Sequence, residues 1–107
     1  IIKNSSDFDL VLAESYNNIG MCYMELEQFE KALDNFQACL KIKKRQNNIK
    51  IESDNENSDF EFKSRPDIEQ LYQNICNCYM SLEQYTKATE YILPKYELNS
   101  VMISEQF

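Results

Sequence analysis

Residues 16–32 read YNNIGMCYMELEQFEKA, and residues 72–88 read YQNICNCYMSLEQYTKA. Set side by side, the two stretches are identical at 11 of 17 positions, from Tyr16 and Tyr72 through Ala32 and Ala88, at an offset of 56 residues. Unrelated stretches of this length share about one residue, so one structural unit occurs twice. Within the first unit Leu12, Tyr16, Ile19, Tyr23 and Leu26 recur every three or four residues, the spacing of one helix face. Phe29, Ala32, Leu33, Phe36 and Leu40 repeat the pattern after a polar break at Glu27–Gln28, so a second helix folds back on the first. The second unit has Ile68, Tyr72, Ile75, Tyr79 and Leu82, then Tyr85, Ala88, Ile92 and Tyr96. Helices are expected near 9–26 and 28–46, and near 66–82 and 84–93, with Pro66 at a helix start where a missing N–H is harmless.

Composition fits long helices joined by few turns: the 107 residues include one Gly and two Pro. A net charge of -7 disfavours nucleic-acid binding, which draws on clustered Lys and Arg. The one basic cluster, Lys41, Lys43, Lys44 and Arg45, is read as the favourable charge at a helix C-terminus. No apolar run approaches the ~20 residues of a membrane span, so no membrane partner is expected. Cys22, Cys39, Cys76 and Cys78 fall in amphipathic runs and read as reduced thiols packed as small apolar groups, which points to an intracellular, cytoplasmic setting. With no His in the chain and the Cys76 and Cys78 side chains turned apart on a helix, neither metal nor cofactor is expected. The chain has no phosphate loop and no nucleophile–His–acid set, so enzyme activity is not expected.

Tyr16, Ile19, Gly20 and Tyr23, followed by Ala32 and Phe36, resemble the tetratricopeptide repeat pattern. The small residues allow the paired helices to approach closely, and Phe36 fills the space behind them. Tyr72, Ile75, Tyr79 and Ala88 repeat the pattern, with Cys76 in place of Gly and Ile92 in place of Phe. Asn17–Asn18 and the extended basic end of the second helix resemble the longer repeats of kinesin light chains.

The resemblance implies an all-α fold of antiparallel helix pairs stacked as a right-handed solenoid fragment. Residues 1–8 are read as a lead-in, 9–46 as the first repeat, 66–97 as the second and 98–107 as an extension. Pro94 is expected to kink or stop the last helix. Residues 47–65, with Glu52, Asp54, Glu56, Asp59 and Glu61, are read as an acidic surface loop that buries little, although Phe60 and Phe62 offer a segment able to dock.

In arrays of this family the first helices line a concave groove, so Asn17, Asn18 and Met21, with Gln73, Asn74 and Asn77, are the implied partner-binding residues. Asn18 and Asn74 are the central pair: an amide both donates and accepts, and so can grip a peptide backbone. The same amides also fit as plain solvated positions. Relatives that clamp a carboxylate terminus use Lys and Arg in the groove, whereas Glu14, Asn17 and Met21 here suit a neutral or basic segment. The expected role is a protein-interaction module within a larger scaffold, with further repeats of the parent chain as neighbours. The competing expectation is a permanent structural segment of a large assembly, cytoskeletal or ciliary, with no groove ligand.

Overall fold

The computed structural model describes residues 5–50 and 58–92. Five helices lie in them: α1 (Ser5–Glu25), α2 (Phe29–Lys50), α3 (Ser58–Ser64), α4 (Pro66–Ser81) and α5 (Tyr85–Thr89), with no strand among the described residues. The fold is all-α. α1 and α2 form one hairpin and α4 and α5 another, and α4 packs on α2 to join the two.

Both hairpin turns are built alike. The N–H of Gln28 reaches the carbonyl of Tyr23 at 2.9 Å and that of Glu27 reaches Met24 at 3.0 Å; Gln84 to Tyr79 and Glu83 to Met80 repeat this at 2.8 and 3.0 Å. These are paired 6→1 and 5→2 bonds, which close a helix through one left-handed residue. That residue is Glu27 in one unit and Glu83 in the other, each with φ 59°.

One core runs through both units. Ala13, Ala32, Phe36, Cys39, Ile68 and Ile75 are fully buried within it. Gly20 is where α1 meets α2: a Cβ there would stand 2.8 Å from Cδ1 and Cε1 of Phe36. Real side chains do not approach that closely, so Gly20 is required for the Phe36 ring to pack this close to α1. At the far end Tyr91 meets the Tyr72 ring edge-on at 5.3 Å and stacks on Tyr79 at 5.8 Å, geometries that aromatic quadrupoles favour.

Several boundaries differ from expectation. α1 begins at Ser5, inside the supposed lead-in, with Asp7 in its first turn, where a carboxylate complements the helix dipole. α2 continues to Lys50, past the expected end at 46. The stretch read as a surface loop contains α3, and Phe62 within it is only 3% exposed and part of the core. The buried Phe62 ring is what anchors that short segment to the core. Pro66 is the first residue of α4, as expected. The last helix is regular only over Tyr85–Thr89, and Tyr91, not Tyr85 or Ile92, supplies its aromatic contact to the core. Pro94, the acidic residues 52–56 and the extension 98–107 lie outside the described residues.

Candidate functional site: a cleft between the first helices

α1 and α4 are the first helices of the two units, and a cleft of about 180 Å³ is lined by Met21, Met24 and Glu25 of α1 and Asn74 of α4. Of the six residues read as a groove, Met21 and Asn74 line this cleft. Asn17 lies half-buried beside Met21, with its Nδ2 3.7 Å from the Met21 sulfur. Gln73 and Asn77 are exposed on α4. Met24 and Glu25 complete the lining. Methionine side chains are flexible and polarisable, so a Met-lined cleft adapts to varied apolar side chains.

Asn18 and Asn74 are not the equivalent pair that their spacing implies. Asn74 is 6% exposed and accepts a hydrogen bond from Gln70 Nε2 at 3.0 Å, whereas Asn18 is exposed. The same split runs through their neighbours: Ile75 is fully buried, but Ile19, expected to face its paired helix, is 45% exposed. Leu26 is exposed too, and Cys22 lies at the surface, not in the core. The physical reason is position in the stack. This face of α4 meets the first unit, and among the described residues no unit packs on the matching face of α1.

The basic cluster has a more specific role than completing a helix dipole. α2 runs on past it, and Lys43 is buried with its ammonium 2.7 Å from Asp67 and 3.4 Å from Glu14. One cation thus ties α1, α2 and α4 together. Burial works against its charged form, but the hydrogen bond and attraction from Asp67 outweigh this and hold the Lys43 pKa above its ordinary value. Asp67 likewise loses hydration, yet hydrogen bonds from Lys43 and Arg65 hold its carboxyl below the usual range. Arg45 pairs with Asp9 at 3.0 Å. The four cysteines are free thiols, and burial pushes Cys39 and Cys78 up to about 11, so both are protonated and unreactive at neutral pH.

The tetratricopeptide repeat profile matches residues 13–45, from Ala13 in α1 to Arg45 in α2. The chain contains a tetratricopeptide repeat. The matched span is the first hairpin, and the second is tied to it by the 56-residue offset and by identical turn bonding. No curated protein and no solved structure matches the chain. Tetratricopeptide repeats form a non-catalytic family whose members mediate contacts between proteins, and the chain is read as a protein-interaction module on that basis. A larger hollow of about 320 Å³ lies beside the first turn of the tetratricopeptide hairpin, lined mainly by the turn residues Glu27 to Lys31 and by Leu82. It is a surface recess whose lining includes none of the six residues read as a groove. Among the described residues no group of three or more His, Cys, Asp or Glu is placed to hold a metal ion. No described helix is long and apolar enough to cross a membrane.

Proposed function

We propose that the cleft between α1 and α4 receives a segment of a partner protein, extended or helical, that is neutral or basic and carries an apolar anchor residue. One observation carries the reading: the cleft is lined by two methionines, a carboxylate and an amide, and by no Lys or Arg. Met21 and Met24 offer an adaptable apolar seat. Glu25 favours a cationic neighbour to the anchor and disfavours an acidic one. Asn17 and Asn77 flank this seat as backbone-binding amides. A reduced, intracellular setting fits the buried thiols of Cys39 and Cys78.

A photo-crosslinking residue at Met21 or Asn77, compared with one at the exposed Asp34 or Lys41 of α2, tests this in the full-length parent protein. Crosslinks to a partner from the first two sites, lost on competition with an excess of unlabelled chain, are the expected result. Crosslinks from the α2 sites alone would instead describe a structural segment that binds through its other side.

A further inference from the structure

The apolar part of the cleft between α1 and α4 is made of methionine. Met21 and Met24 lie one turn apart on α1 and both line the cleft, with Glu25 and Asn74 as the rest of its lining. Their thioethers are within reach of solvent: Met21 is 45% exposed and Met24 is half-buried. Asn17 stands one turn before Met21 on the same face and directs its Nδ2 at the Met21 sulfur across 3.7 Å. A thioether is a weak acceptor, so this amide aims a donor at a poor partner. Met80 on α4 is 51% exposed but lies outside the lining, which makes it an internal comparison.

The two sulfurs are the groups of the cleft that an oxidant converts. With a hydroperoxide, a sulfur lone pair attacks one peroxide oxygen, and the O–O bond breaks as the S–O bond forms. The departing oxygen keeps the electron pair and takes up the hydroperoxide proton, so the products are a sulfoxide and one molecule of alcohol or water. A flexible apolar side chain becomes a polar, chiral one, and reductases specific for each epimer reverse the change. At Met21 the product has a partner waiting. An oxygen set on the sulfur toward Asn17 comes within N–H···O range of Nδ2 and is a far better acceptor than the thioether it replaces.

We propose that Met21 is an oxidation site that switches the cleft off. A hydroperoxide converts Met21 to the sulfoxide, the new oxygen takes the Asn17 amide, and the seat for an apolar anchor is lost until the sulfoxide is reduced. The proposal rests on the cleft reading given above and adds its regulation. Two features of the bound segment are affected together: its anchor loses an apolar surface, and its backbone loses the Asn17 donor. Linkage works in both directions, so a segment seated on Met21 slows oxidation of that sulfur.

The test uses the full-length parent protein with a photo-crosslinking residue at Asn77, treated with hydrogen peroxide, cleared of it, and mixed with untreated cell extract. Crosslink yield is expected to fall about tenfold or more, because the anchor then desolvates a polar group where it met an apolar one. Methionine sulfoxide reductases restore it. Dithiothreitol alone does not, which separates Met21 from the exposed thiol of Cys22. In M21L with M24L, the yields before and after peroxide are expected to be equal within that variant; in M80L the loss is as large as in the unmodified sequence. A measurement needing no partner runs beside it: the Asn17 side-chain amide resonance, read by NMR, shifts on oxidation, and M21L abolishes the shift. The switch is overturned by crosslinking that persists once mass spectrometry shows Met21 fully oxidised, by recovery with dithiothreitol alone, or by an Asn17 resonance that does not move. Crosslinks absent from Asn77 in the reduced protein overturn the cleft reading itself, and the switch with it.

Discussion

Glu27 and Glu83 each hold a left-handed backbone conformation that L side chains disfavour by about 1–2 kcal/mol. Each is tolerated because the turn bonds from Glu27, Gln28, Glu83 and Gln84 close the ends of α1 and α4. Replacing either residue with glycine removes the Cβ clash but adds freedom to the unfolded chain. Glu27→Gly and Glu83→Gly are each expected to stabilise the fold by about 0.5–1 kcal/mol, read as a shift of the urea midpoint with an unchanged slope. This turn chemistry was hidden in the sequence, where a glycine usually marks it; Glu–Gln shows only a polar break. Gly20 was legible, because a lone glycine inside a helical pattern asks for a close neighbour, and Phe36 is that neighbour. The amides were half legible. Spacing placed Asn18 and Asn74 on one face of their helices, but spacing says nothing about which neighbour covers the face. Asn74→Ala is thus a core change as well as a groove change.

At the scale of elements, α3 is the feature that composition concealed. Its surroundings are acidic and rich in Asn and Ser, which reads as solvated chain, yet Phe62 is buried in the core and its ring lies 5.6 Å from the Arg65 guanidinium. A segment needs only one well-placed aromatic to dock, and a periodicity of seven residues is too short to announce it. Phe62→Ala is expected to cost about 3 kcal/mol, a typical value for deleting a buried ring, seen as a lower denaturant midpoint. A change within a few tenths of a kcal/mol would mean that α3 is a passenger. Deleting 48–62 removes this anchor along with the polar chain, so it is expected to lower stability, contrary to the loop reading of that stretch. The four long or paired helices were legible because their apolar stripes recur in phase. The end of the last was not, since Tyr91 takes the core position that the first unit's register assigned to Ile92.

Across the whole molecule, the two units are joined at both ends of their contact: Lys43 meets Asp67 near one end, and Gln37 donates to the Tyr91 hydroxyl at 2.7 Å near the other. Asp67→Asn leaves a nearly buried ammonium with only the exposed Glu14 for a partner, and is expected to cost about 1–2 kcal/mol, discounted for the partial exposure of Asp67. Because folding lowers the Asp67 pKa, its contribution is fully present above the unfolded value near 4 and is lost as pH falls through the folded value. The raised Lys43 pKa acts oppositely: its contribution is present below about 10.4 and is lost only as pH rises past the folded value. Between pH 4 and 2, Asp67→Asn is expected to flatten the fall in stability measured by urea titration. The Gly20–Phe36 contact bears on a hazard that duplication creates. Two units with 11 of 17 residues in common invite α1 to pair with α5 during folding, in one chain or between chains. In the second unit Cys76 stands where the first has Gly20, while Ile92, the counterpart of Phe36 by spacing, is exposed. A crossed pairing of α4 with α2 would set Cys76 against Phe36, where no Cβ fits, so the missing side chain at Gly20 acts as a key that rejects the wrong partner. Cys76→Gly is therefore expected to enlarge the slow-refolding or domain-swapped fraction in stopped-flow and size-exclusion measurements; an unchanged fraction would show that this difference in size plays no part in sorting the helices.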